Sequence, residues 1–195
     1  MPIEVRPLTG AALRAVLPEV ARLRIRVFRE FPYLYVGTEA FERDYLKVYA
    51  ESPGAVVVGA FDEGLLVGAS TAIPMEHGDP GFAAPFVERG IDLKSVMYFG
   101  ESVLDVSYRG HRIGHAFFDH REARARELGR PVTGFCSVIR PADHPSRPAD
   151  YRPHDVFWSG RGYHPVPGMV ARFPWLDVGE SEETVKALQF WLKGD

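Results

Sequence analysis

The chain has 195 residues, a net charge of −3 and a single cysteine, Cys136. That length supports one sizeable core and no composition break divides it, so residues 1–195 read as a single domain. Acidic and basic residues are intermixed, which argues against a nucleic-acid or membrane-surface binder, and one cysteine excludes an internal disulfide. With no long apolar run and no signal-peptide pattern, the expectation is a soluble cytoplasmic protein.

In chain order, Ile3–Leu8 alternates and predicts a strand, with Thr9 placed to cap the helix after it. Over residues 11–30, Leu13, Val16, Leu17, Val20, Leu23, Val27 and Phe28 recur at helical spacing, with a break or kink expected at Pro18. Phe31–Gly37 is an aromatic loop. Thr38 opens a second helix that carries Phe41, Tyr45, Leu46 and Tyr49 on one side and ends at Ser52-Pro53-Gly54. Two apolar runs, 55–61 and 65–73, flank Asp62-Glu63-Gly64 and predict a hairpin. Residues 74–90 form a polar connection with a short helix at 85–89. A central strand over 95–106 leads into a basic glycine turn and a helix on Ile113, Ala116, Phe117, His120 and Ala123, stopped by Gly129. A strand at 131–139, a proline-rich ordered loop at 140–153, a short helix at 154–162 and a strand pair at 170–176 and 185–193 complete the chain.

The turn, Tyr108-Arg109-Gly110-His111-Arg112-Ile113-Gly114, carries the chemistry. A strand-to-helix turn leaves backbone N–H groups unpaired at a helix N-terminus, where the helix dipole makes the space positive. Arg109 and Arg112 add full charges, so the guest is a phosphate or pyrophosphate. A nucleotide-triphosphate loop would need GxxxxGK and then Ser or Thr, and a dinucleotide fingerprint would need GxGxxG; neither is present.

The pattern resembles the acetyl-CoA pyrophosphate loop of the GNAT superfamily of N-acyltransferases, Gln/Arg-x-x-Gly-x-Gly/Ala. Here it reads Arg109-Gly110-His111-Arg112-Ile113-Gly114, with Arg112 at the middle glycine. An ordinary backbone conformation at Arg112 is the expectation that goes with that exchange. Phe157-Trp158-Ser159-Gly160-Arg161-Gly162-Tyr163 looks like the family's F-Y-x-x-x-G-F segment, and the element order β, α, α, β, β, β, α, β, α, β, β is similar to that of the family over nearly the whole chain.

The resemblance implies an α/β (α+β) fold: a mixed central sheet of about seven strands with about four helices, splayed between strands 4 and 5. It implies acetyl-CoA as co-substrate, no metal, and direct acetyl transfer to the amine of a small-molecule acceptor. The pantetheine arm would pair around Val103, Leu104 and Val106. The pyrophosphate would sit on Arg109, Gly110, His111, Arg112, Ile113, Gly114 and His115, with Trp158 beside the cofactor.

The chemistry makes three demands: a base for the ammonium proton, a donor for the oxyanion and an acid for the CoA thiolate. Glu101, a few residues upstream on the pantetheine strand and on one face with Val103 and Asp105, is the expected base. Trp158 stands where many family members have a tyrosine acid, which leaves Tyr163, Tyr151, Cys136 or water, with Tyr163 carried as the catalytic candidate. Tyr33, Tyr35, Arg140 and Tyr151 are the acceptor-side candidates, as aromatic walls and an arginine suit a small anionic molecule. His111 and His115 read as a solvated pair beside phosphate. The alternative reading is a catalytically silent CoA-binding or interaction module, with the Phe157-Trp158 and Phe190-Trp191 pairs serving a homodimer interface.

Overall fold

The computed structural model of the chain describes residues 3–194. Its centre is a seven-stranded mixed sheet in the order β1-β2-β3-β4-β5-β7-β6. The strands are β1 (Glu4–Leu8), β2 (Val56–Asp62), β3 (Leu65–Pro74), β4 (Val96–Leu104), β5 (Val132–Val138), β6 (His164–Leu176) and β7 (Glu183–Lys193). Five α-helices accompany them: α1 (Gly10–Val27), α2 (Glu39–Glu51), α3 (Pro80–Glu88), α4 (Ile113–Glu127) and α5 (Asp155–Gly160). Only β4 and β5 run parallel.

Two apolar layers sandwich the sheet. Leu13, Val16, Val20 and Leu23 of α1 meet Leu46 and Tyr49 of α2 over Val57, Ala69 and Val103. On the other face Phe117, Phe118 and Ala125 of α4 cover Val58, Met97 and Phe99. Burial of these side chains at roughly 25 cal/mol per Å² of apolar surface is the main force holding the layers.

Three expectations are corrected. Helix α1 is unbroken at Pro18, because that residue is on the solvent side, where losing one ladder N–H costs least. The 74–90 connection holds a nine-residue helix, α3, started by Pro80 at its first turn and by the Asp79 carboxylate accepting from Gly81 N–H at 2.7 Å. Strand β4 ends at Leu104, and Val106 sits exposed in a tight 3₁₀ turn, Val106–Tyr108.

The feature of the fold that matters most for function is in β4. Its pairing with β3 slips between Ser70 and Ala72: Ala72 faces Phe99, and Ser70 faces Ser102. Two steps on β3 thus match three on β4, a bulge that turns the following residues to the opposite face. Gly100 is required there, since a Cβ would stand 2.0 Å from the Tyr49 hydroxyl and 2.5 Å from Thr71 Oγ1. After the bulge, Glu101 and Val103 face α1 and α2.

Candidate active site

β4 pairs with β5 only at Val96–Val132, Met97–Thr133 and Tyr98–Gly134, and then the strands part. Beyond Gly134, β5 continues only with β7, through Val138–Leu188. The parting opens a cleft of about 1040 Å³. Gly100, Glu101, Ser102 and Leu104 of β4 line one wall, and Phe135–Val138 of β5 the other. Phe157 and Trp158 of α5 close one end, and the loops around Phe31–Tyr33 and Arg147–His154 cover the top.

At one end stands the N-terminus of α4. The last backbone bonds before it run from Tyr108 N–H to Asp105 and from Arg109 N–H to Val106, and the helix begins with His115 and Ala116 donating to Arg112. The N–H groups of residues 110–114 lie between these and donate to no carbonyl of the turn, as expected at a helix start. Gly110 has φ +86°, and Arg112 has φ +62°, in the left-handed region. The ordinary conformation expected at Arg112 is therefore corrected: the residue adopts the backbone of the glycine it resembles in position, at a cost on the order of 1 kcal/mol. Arg109 and Gly114 line the cleft. Ile113 sends its side chain into the core, so it offers only its N–H. His111 Nδ1 lies 3.2 Å from the Tyr108 carbonyl and His115 packs on Phe157, so the two imidazoles have different partners.

Glu101 is buried in the wall of the cleft. Its Oε2 accepts from Arg24 Nη1 at 2.6 Å and from the Tyr45 hydroxyl at 3.4 Å, while Oε1 has no hydrogen-bond partner in the protein. Burial pushes its carboxyl up, Arg24 opposes this, and the nearby Glu42 adds to it. Arg24 of α1 also donates to Glu42 of α2, so one guanidinium holds two buried carboxylates. A further buried cation, Arg121 of α4, donates to the carbonyls of Phe117, Thr71 and Glu101 at 3.3, 3.5 and 3.3 Å. It lies between the Phe99 and Phe118 rings, 4.4 and 4.6 Å from their centroids, and burial lowers its pKa to about 10.

Sequence reasoning passed over Arg24, Glu42 and Arg121, though each carries a signal. Arg24 comes four residues after Val20, Glu42 four before Leu46, and Arg121 four after Phe117 and four before Ala125. Each is a charge on the apolar stripe of its helix, a position that demands a buried partner.

Other candidates fall differently. Leu104, Tyr33, Tyr151 and Trp158 line the cleft with Glu101. Val103 does not, because the bulge turns it into the core beneath α1. Tyr163 is corrected as well: it is fully buried among Phe99, Phe118 and Phe135, and its hydroxyl is engaged by Thr133 and Glu122 at 3.0 Å each. Tyr35 lies off the cleft, bridged to Asp177 and packed on Phe41. Phe190 and Trp191 are interior, while the half-buried Phe157 and Trp158 line the cleft, with Trp158 packed on Trp191.

Arg140 is the largest correction. Its Nε donates to the Pro32 carbonyl at 2.7 Å, Nη2 to the Tyr33 carbonyl at 2.7 Å, and both Nη atoms to Asp177 at 2.6 and 3.0 Å. Four of the five guanidinium N–H groups are spent on tying the aromatic loop to the end of β6.

No family model matches the chain, and no curated protein matches it. Solved structures do. A Drosophila melanogaster polyamine N-acetyltransferase that forms N-acetylagmatine matches with a TM-score of 0.64 at 15% identity, covering 100% of both chains. An acetyltransferase from Salmonella typhimurium solved with acetyl-CoA matches with a TM-score of 0.59 at 10% identity, over 100% of this chain and 94% of that one. A GNAT-family acetyltransferase from Staphylococcus aureus matches with a TM-score of 0.56 at 13% identity, over 99% of each. The chain has the GNAT acetyltransferase fold.

The Arg140 anchor is testable. Burial works against the Asp177 carboxylate, but hydrogen bonds from Arg140 and Lys186 outweigh it and hold the group below the usual carboxylate range. Its depressed folded-state value means that the stability it contributes is present above the unfolded pKa of about 3.9 and is lost as pH falls through the folded value. Arg140→Lys should cost about 1.5–3 kcal/mol at neutral pH, and the deficit should shrink under acid. Urea denaturation measures it; a variant as stable as the wild type at neutral pH would remove the anchor.

Proposed function

We propose that the protein is an acetyl-CoA-dependent N-acetyltransferase acting on the amine of a small polar acceptor that carries an anionic group. The observation that carries the reading is the parting of β4 and β5 beside five free N–H groups at the start of α4. An opened parallel pair offers backbone donors and acceptors to an extended pantetheine arm, and the helix start offers a positive cradle to its pyrophosphate. The fold shared with acetyltransferases, one of them solved with acetyl-CoA, supports the same cofactor.

The residues divide the work. The N–H groups of 110–114 and the Arg109 guanidinium hold the pyrophosphate. The backbone of β4 that faces the gap orients the thioester and presents an N–H where negative charge develops on its carbonyl oxygen. Glu101, through Oε1, takes the proton from the acceptor ammonium, directly or through one water. The freed amine forms the N–C bond and the C–S bond breaks; the thiolate takes a proton from an acid on the cleft wall, and the second proton shed by the nitrogen replaces it. Tyr151 and Cys136 both stand on the cleft wall as sources of the thiolate's proton, and burial keeps the Cys136 thiol well above its usual pKa and so protonated.

With Arg140 committed, the acceptor's anionic group falls to Arg147. Its guanidinium lies 4.9 Å over the Tyr151 ring and 5.9 Å from that of Phe31, and no carboxylate pairs with it among the described residues. Stacking on two rings fixes the plane of the fork and leaves its N–H edge to a carboxylate or phosphate.

Gly114→Glu should abolish acetyl-CoA binding in calorimetry by placing a carboxylate in the cradle; equal affinity in both proteins would refute the site. Glu101→Gln should lower turnover about a hundredfold or more with acetyl-CoA affinity nearly unchanged, as for loss of a general base. Undiminished turnover would return Glu101 to a purely structural role. Arg147→Lys should raise the KM of an anionic acceptor roughly tenfold or more and leave that of an uncharged analogue alone. Equal losses with both acceptors would mean that Arg147 only shapes the loop.

A further inference from the structure

The geometry around Arg24 leads to a role for a residue that never touches the cleft. Glu42 is fully buried on α2, and its only ionic partner among the described residues is Arg24. Arg24 in turn binds Glu101, which does line the cleft. We propose that Glu42 is the positioning residue of the site: by occupying half of the Arg24 fork, it weakens the hold of Arg24 on the Glu101 carboxylate and so sets the pH at which Glu101 becomes a free base. The inference rests on the proposed role of Glu101 but not on the identity of the acceptor.

Charge counting supports it. Two carboxylates and one guanidinium, all away from water, leave one uncompensated negative charge when both acids are ionised. A buried excess charge is costly, and the usual relief is to bind a proton. Oε1 is unpartnered on both carboxylates, so neither has a second cation to satisfy it. For Glu101, burial favours the neutral form, Arg24 opposes that, and Glu42 reinforces it.

The other groups around the cluster do not supply the missing positive charge. From α2 come the Tyr45 and Tyr49 hydroxyls, both held neutral by burial. From the aromatic loop come Tyr33 and Tyr35, likewise pushed up by burial, with the exposed Glu183 of β7 beyond Tyr35. From β3, Thr71 Oγ1 accepts from the Glu101 N–H at 3.3 Å. From β5, Cys136 is neutral. Arg121 on α4 is the one further cation, but its Nη1 is directed at the Thr71 and Glu101 carbonyl oxygens, across the strand from the carboxylate.

Glu42→Gln keeps the shape and a hydrogen-bond acceptor for Arg24 while removing the competing charge. Arg24 then serves Glu101 alone, which favours the carboxylate. The ascending limb of the pH profile of kcat/KM should move down by about one pH unit or more, since a single close charge typically shifts a carboxyl by that much. Affinity for acetyl-CoA should not change. Glu42→Asp should return the limb toward its original position. A merely structural Glu42 would alter stability or kcat without moving the limb.

A second readout needs no turnover. Carbon-13 NMR of glutamate-labelled protein, with the Glu101 carboxyl assigned by its loss in Glu101→Gln, tracks the titration directly. The wild-type midpoint should lie above the ordinary glutamate value, and Glu42→Gln should lower it. A wild-type midpoint at or below the ordinary value overturns the inference, even if Glu42→Gln does not fold. So does a midpoint that Glu42→Gln leaves in place. If instead the shifted titration is found but no amine is acetylated, the inference about Glu42 stands and the proposed reaction fails.

Discussion

Everything proposed for this chain depends on β4 leaving β5 after three residue pairs. Where the strands part, Gly100, Glu101, Ser102 and Leu104 line the cleft instead of pairing with β5. Two features on the β3 side set the course of β4 there. The bulge at Gly100–Glu101 bends β4 and absorbs one residue of register against β3. Arg121 then reaches up from α4 and binds the Thr71 and Glu101 carbonyls at that point. A charged donor with several N–H groups suits a bulge better than a neutral one, because a bulge leaves more than one carbonyl in need of a partner.

The same bulge decides what chemistry the cleft can do. With unbroken alternation from Met97 and Phe99, residue 101 would face α4 and the aromatic layer there. The extra residue turns it toward α1, where Arg24 and Tyr45 wait. Glu101 thus lies buried in the wall of the cleft, with Oε1 left without a hydrogen-bond partner. A carboxyl in water would be ionised but a weak base at neutral pH; one buried with a fully matching cation would be ionised and weaker still. An imperfect match, one guanidinium for two carboxylates, raises its basicity.

Much of this was legible in the sequence. Apolar periodicity located α1, α2, α4 and most strands, because those segments bury one face and the burial repeats at the period of the element. The turn at 109–114 was readable for the same local reason: a glycine-rich strand-to-helix junction has few backbone solutions. The bulge was visible only as Gly100 between Phe99 and Glu101, and a lone glycine inside a strand is a signal for such a feature. Helix α3 hid among prolines: Pro80 begins it at its first turn, and Pro85 sits inside it without ending it. Tyr163 was misjudged because proximity in sequence to Trp158 does not fix depth. The chain turns inward at Gly162, with φ +87°, and buries the ring.

The arginines of the 140–153 loop show why residue type alone could not assign the acceptor contact. In sequence, Arg140, Arg147 and Arg152 are equivalent: three guanidinium groups in a proline-rich loop after β5. Distance from the strand separates them. Arg140 is two residues beyond the end of β5, so its backbone is fixed, and a fixed guanidinium can satisfy two carbonyls and a carboxylate at once. Arg147 lies farther along, where the loop crosses the cleft and only aromatic faces are near. An aromatic face stabilises a cation without consuming its N–H donors. The first arginine therefore holds the roof and the second keeps its hydrogen bonds free, a division set by what each can reach.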